Sequence, residues 1–173
     1  MNIKKWIIIS VIVSLILGTL LHFTYEWSGE NKFVAIFSAV NESTWEHLKL
    51  TFYPMTLMAL IGSFFIKKES NNYWFAQATG ILFSIIFITI FFYTYTGIIG
   101  TNFAIIDIAS FVISILLGEY IIYRLLLSKK KYDLEKISII LIFALLLSFI
   151  VYTFDPYQIA YFKDPIEGSY GIN

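Results

Sequence analysis

Five stretches of this chain are apolar enough, and at about 20 residues long enough, to cross a lipid bilayer as helices. They run over residues 6–25, 44–66, 73–96, 103–127 and 135–153. Such segments leave little choice of fold. Hydrocarbon offers a backbone amide no partner, so the backbone must satisfy itself inside a helix or a closed barrel. The two-residue alternation of barrel strands is missing. The sequence therefore predicts an all-α, polytopic membrane bundle of about five helices, forming one domain over 1–173. Composition agrees: 14% of residues are charged, against about 25% in a soluble domain.

The first stretch, Lys4 and Lys5 followed by Trp6–Leu21, has the outline of a signal peptide. No small-x-small cleavage site follows, and we expect it to be retained as the first span. Cation placement then sets an orientation. Nine cations, at 4, 5, 67, 68, 124, 129, 130, 131 and 136, fall on one side with three carboxylates, leaving about +6 there. The other side has eight carboxylates against three lysines, about −5. The N-terminus is expected in the cytoplasm and the C-terminus outside, in a bacterial cytoplasmic (inner) membrane. Residues 154–173, with Asp155-Pro156, Asp164-Pro165 and several aromatics, are expected to form an extracytoplasmic C-terminal cap. Net charge is zero, and nothing in the balance points to nucleic acid.

In lipid, helices associate through small residues that let backbones approach. Ser10, Ser14, Gly18 and His22 make one such stripe on the first span. Asp107, Ser110, Ser114 and Gly118 make another on the fourth. Each ends in an ionisable group at the outer end, so antiparallel packing is expected to bring His22 towards Asp107. On the second span His47, Thr51, Met55, Met58 and Gly62 share a face, and Pro54 is expected to kink the helix.

The densest polar string is Asn41-Glu42-Ser43-Thr44-Trp45-Glu46-His47-Leu48-Lys49. Part of it reads as helix capping. Ser43-x-x-Glu46 is a capping box, with Asn41 as an alternative cap. Trp45 reads as an interfacial anchor, and Lys49 as a snorkelling residue that pairs locally with a peripheral Glu46. His47 and Glu42 are left over. With no cysteine in the chain, His22 and His47 are the only strong nitrogen ligands. Two neutral imidazoles with one or two carboxylates form a ligand set for zinc or a similar divalent ion. His22, His47 and Asp107 are the expected metal ligands. Glu42, His47 and Asp107 are the expected catalytic groups, with Glu42 an alternative third ligand. Asn41, Glu46, Asp155 and Asp164 are further candidates at the same end. Glu119, inside the fourth span, reads either as a glutamate that snorkels or pairs with a Tyr or with Gln77, or as a relay for protons or cations.

The string Asn41 to Lys49 resembles the hallmark of an uncharacterised family of small bacterial integral membrane proteins, a domain of unknown function. His22-Phe23-x-Tyr25-x-Trp27 and Asp164-Pro165-x-x-Gly168-x-Tyr170-Gly171-Ile172 resemble the same family. The resemblance implies a membrane architecture and no activity. By looser analogy, seven-span zinc-dependent membrane hydrolases of the alkaline ceramidase type also use His and Asp near a membrane face. Three functions are therefore expected to compete. One is a metal-assisted hydrolase or transferase on a lipid or lipid-linked substrate. Another is a small-solute or ion transporter or binding component. The third is a membrane scaffold with an extracytoplasmic protein partner.

Overall fold

A computed structural model describes residues 2–172. Six α-helices follow in order: α1 (Ile3–Trp27), α2 (Lys32–Ala35), α3 (Thr44–Phe65), α4 (Tyr73–Ile99), α5 (Ala104–Leu126) and α6 (Glu135–Phe154). Every helix but the short α2 is long and apolar enough to cross a membrane, giving the five spans of a multi-pass protein. The helices start and stop where local chemistry allows. The Asn2 side chain accepts from the Lys4 amide to open α1, at 2.7 Å. The Ser43 hydroxyl accepts from the Glu46 amide to open α3, at 3.3 Å. Gly100, at φ +86°, closes α4, in a left-handed conformation that only glycine adopts freely.

The two small-residue stripes do bring helices together. Pro54 has no amide hydrogen to give the Leu50 carbonyl, so that oxygen lacks its helical partner. Gly18 of α1 packs directly against it, with the Phe111 ring of α5 on the same glycine; a Cβ at position 18 would strike both. One glycine thus sets α1 against α3 and α5 together. α4 and α5 approach as closely at Gly80 and Gly118, where each glycine faces the other's backbone carbonyl. Between them Ser84 donates to the Ser114 carbonyl across the interface, at 2.8 Å. α6 is fastened by polar groups at one end. Glu135 accepts from the first amides of α4, Trp74 at 3.0 Å and Phe75 at 3.2 Å. At its other end Phe149 packs tilted, and Tyr152 edge-on, against Trp45 of α3.

The connection from α1 to α3 was not anticipated as a structured element. After α2, residues 36–43 form a strap across the end of the bundle that carries His22. The Ser38 hydroxyl donates to the Leu21 carbonyl, at 2.5 Å, and accepts from the Tyr25 amide, at 2.9 Å. Residues 155–172 fold back over the same end. There the Ile172 amide donates to Thr153 and the Asn41 side chain to the Gly171 carbonyl, both at 3.1 Å.

If Gly18 sets the α1–α3 spacing, Gly18→Ala forces these helices apart. A loss of about 1–3 kcal/mol is expected, the usual cost of overpacking, read as a lower melting temperature in detergent. An unchanged melting temperature would show that the close approach is dispensable.

Candidate metal centre

Three side chains converge where α1, the strap and α3 meet. The Nε2 atoms of His22 and His47 stand 3.3 Å apart. Glu42 reaches both, with Oε2 at 3.4 Å from His47 Nε2 and Oε1 at 3.9 Å from His22 Nε2. One potential ligand atom from each lies within 4.8 Å of the other two. For zinc–nitrogen bonds of about 2.0–2.1 Å in a tetrahedron, ligand atoms lie about 3.3 Å apart. The His–His distance and the nearer His–Glu distance fit that spacing.

Backbone groups orient the cluster. His47 Nδ1 lies 2.9 Å from the Ser43 carbonyl, which can only accept, so the proton sits on Nδ1 and the Nε2 lone pair faces the cluster. This is how metal-binding imidazoles are commonly held. Glu42 is placed by Asp164, which accepts from the Glu42 amide at 3.1 Å. The second Asp164 oxygen accepts from the amides of Ile166 and Glu167, at 2.6 and 3.0 Å. Burial alone would raise the Asp164 carboxyl, but the amides of Glu167, Glu42 and Ile166 outweigh it and hold it below the usual range. When the His47 ring is protonated, its Nε2 donates to Glu42, and that hydrogen bond, outweighing burial, holds the Glu42 carboxyl low. Beside the cluster is an open cavity of about 370 Å³ whose wall includes His22, Glu42, Glu26, Glu30, Asp164 and Glu167 and contains no lysine or arginine. Such a wall draws cations.

The other expected site residues are dispersed. Asp107, expected as a ligand and catalytic group, accepts from the Tyr95 hydroxyl and, at 3.1 Å, from Asn102. It lies outside the His22/Glu42/His47 group. α1 and α5 do pack antiparallel, but Asp107 is in the first turn of α5, where α4 and its loop supply nearer donors. Glu42 takes the third position. Asn41 is a local cap, accepting from the Ser43 amide at 2.9 Å. Asp155 follows α6, exposed to solvent. Glu119 is buried against α1, taking a hydrogen bond from Ser10 and not from Gln77 or a tyrosine.

Glu46 and Lys49 correct the expectation most sharply. Neither is peripheral and Lys49 does not snorkel; they are 1% and 0% exposed. The Lys49 ammonium donates to Ala35 O at 2.8 Å, Ser38 O at 3.1 Å and Glu46 Oε2 at 2.5 Å. Glu46 also accepts from the Val40 amide at 3.1 Å and from Thr153 at 3.3 Å. The strap brings carbonyls down to the lysine, so it has no need to reach the surface. Trp45 is likewise no simple interfacial anchor, since it packs among Phe149, Tyr152, Tyr161 and Phe162. The i to i+3 spacing of Glu46 and Lys49 hinted at their pairing; nothing in it revealed the strap.

The model of a family of unknown function, DUF6512, matches residues 1–172, and the chain belongs to that family. No curated protein and no solved structure matches the chain.

Removing the lysine charge alone should leave the Glu46 carboxylate buried without its cation. Lys49→Met is expected to cost about 3–5 kcal/mol, and Glu46→Gln combined with Lys49→Met to recover part of it. Thermal unfolding of the single and double variants in one detergent measures both. Equal losses in the two variants would show that the buried Glu46 carboxylate carries no penalty once its cation is removed.

Proposed function

We propose that this DUF6512 member is a multi-pass protein of a bacterial cytoplasmic membrane, with its N-terminus in the cytoplasm, and that it holds a divalent metal ion at its outward-facing end. There it acts as a metal-assisted hydrolase or transferase on a lipid or lipid-linked substrate. The carrying observation is the convergence of His22 Nε2, His47 Nε2 and the Glu42 carboxylate, with the His47 tautomer set by the Ser43 carbonyl. Three protein ligands leave a tetrahedral ion one open position, the usual arrangement of a catalytic site. A water bound there becomes a nucleophile near neutral pH. His22 and Glu42 also line the adjoining cavity, which gives a substrate access to that position. The charge asymmetry between the two sides supports the orientation.

A second reading, a small-ion transporter or binding component, is favoured by one observation. Glu119 is a carboxyl 3% exposed within a span, hydrogen-bonded to Ser10, and such groups commonly mark ion pathways. It predicts cation or proton flux in proteoliposomes that Glu119→Gln reduces; equal flux in wild type and variant removes it.

For the metal reading, protein purified without chelators is expected to contain one divalent ion per chain by elemental analysis. His22→Ala and His47→Ala should each lose it. Uptake should fall as the pH is lowered, since imidazole binds metal only when neutral. Wild-type protein that takes up no divalent ion on titration with zinc would sink the proposal.

A further inference from the structure

A second concave site lies in the spanning region. It is a groove of about 370 Å³ walled by Leu17 and Leu21 of α1, Leu57 and Leu60 of α3, and Leu146 of α6. Pro54 and Tyr53 stand in its α3 wall, and Phe37 from the strap lines it too. Its surface is almost wholly apolar, with Thr56 the one small polar residue in the wall besides Tyr53. It is cut into helices long and apolar enough to cross a membrane, and Leu57 and Leu60, 44% and 51% exposed, carry its wall out onto the lipid-facing surface. The groove is thus continuous with the face that contacts bilayer hydrocarbon.

Its position relative to the metal ligands gives it a role. Leu21 lines the groove, and His22, about 1.5 Å further along the helix axis, is a metal ligand. Phe37 lines the groove while Ala39, Val40 and Asn41 line the acidic cavity. The two spaces therefore share the strap as a common wall, and the groove reaches the depth of the metal centre. Tyr53 is 9% exposed and its hydroxyl has no hydrogen-bond partner among the described residues. It stands beside Phe37, with ring centroids 5.2 Å apart, at the end of the groove nearest the strap. The hydroxyl is sealed beneath the wall, so the groove offers an occupant an almost wholly hydrocarbon surface, as an acyl chain requires.

We infer that the groove binds one acyl chain of a membrane lipid and holds that lipid's carbonyl and headgroup at the depth of the metal centre, as its substrate. The substrate part rests on the metal reading; the acyl site does not. The test uses the full chain in nanodiscs containing a trace of phospholipid with a photoactivatable diazirine within one acyl chain. Peptide mapping is expected to place adducts on the groove residues of α1, α3 and α6. Leu57→Trp, which fills the groove, should remove them, whereas Ile140→Trp, at an exposed position of α6 outside the groove, should not. Adducts spread evenly around the bundle, or unchanged in Leu57→Trp, would overturn the inference. Metal content measured on the same samples keeps the two readings apart. Groove labelling without metal removes the substrate role alone, and metal without groove labelling removes the acyl site alone.

Discussion

A lysine ammonium shut away from water needs an oxygen for each of its three hydrogens. The end of this bundle that carries the histidines is organised around how Lys49 finds them. Two are carbonyls of the α2–strap segment and one is Glu46. Glu46 in turn holds the Val40 amide and the Thr153 hydroxyl. One buried ion pair therefore joins α3 to the strap and to α6. A buried pair is weak as a source of stability but sensitive to geometry, because each unsatisfied charge is costly. Here that sensitivity fixes the path of the chain just before Glu42.

The strap then determines what the histidines meet. His22 and His47 would approach each other in any antiparallel packing of α1 on α3 at Gly18. Two imidazoles alone are an incomplete ligand set. The third donor comes from Glu42, whose amide is anchored by Asp164 from the far end of the chain. Close helix packing supplies the nitrogen ligands, and two irregular segments supply the oxygen ligand.

The spans were legible in the sequence because hydrocarbon imposes a length and a composition on whatever crosses it. Residues Ser10 to His22 also disclosed the face on which α1 packs, since only small residues permit that approach. The site was legible in part. His22 and His47 stood out as the only imidazoles on packing faces, and Glu42 as a carboxylate that the capping box leaves free. Asp107, expected beside the two imidazoles, lies apart from them. Helical phase fixes the direction of a side chain but not which neighbour is nearest, and Tyr95 of α4 has no periodic relation to it. Lys49 was misjudged for a related reason. Snorkelling assumes that water is the nearest source of acceptors, and a strap of backbone carbonyls defeats the assumption without leaving a pattern in the sequence.

The hydrogen bond from the Glu42 amide to Asp164 also bears on biogenesis. Ribosomes deliver this chain N-terminus first, so His22, Glu42 and His47 emerge well before Asp164, Gly171 and the end of α6. Until residues 153–171 arrive, Glu42 lacks its anchor, Asn41 lacks the Gly171 carbonyl, and Glu46 lacks Thr153. His22, Glu42 and His47 are thus held together only once Asp164 is in place. A nascent product that stops short of Asp164 would hold both imidazoles with no fixed carboxylate between them, and any metal taken up by the three groups together would come after that stretch is made.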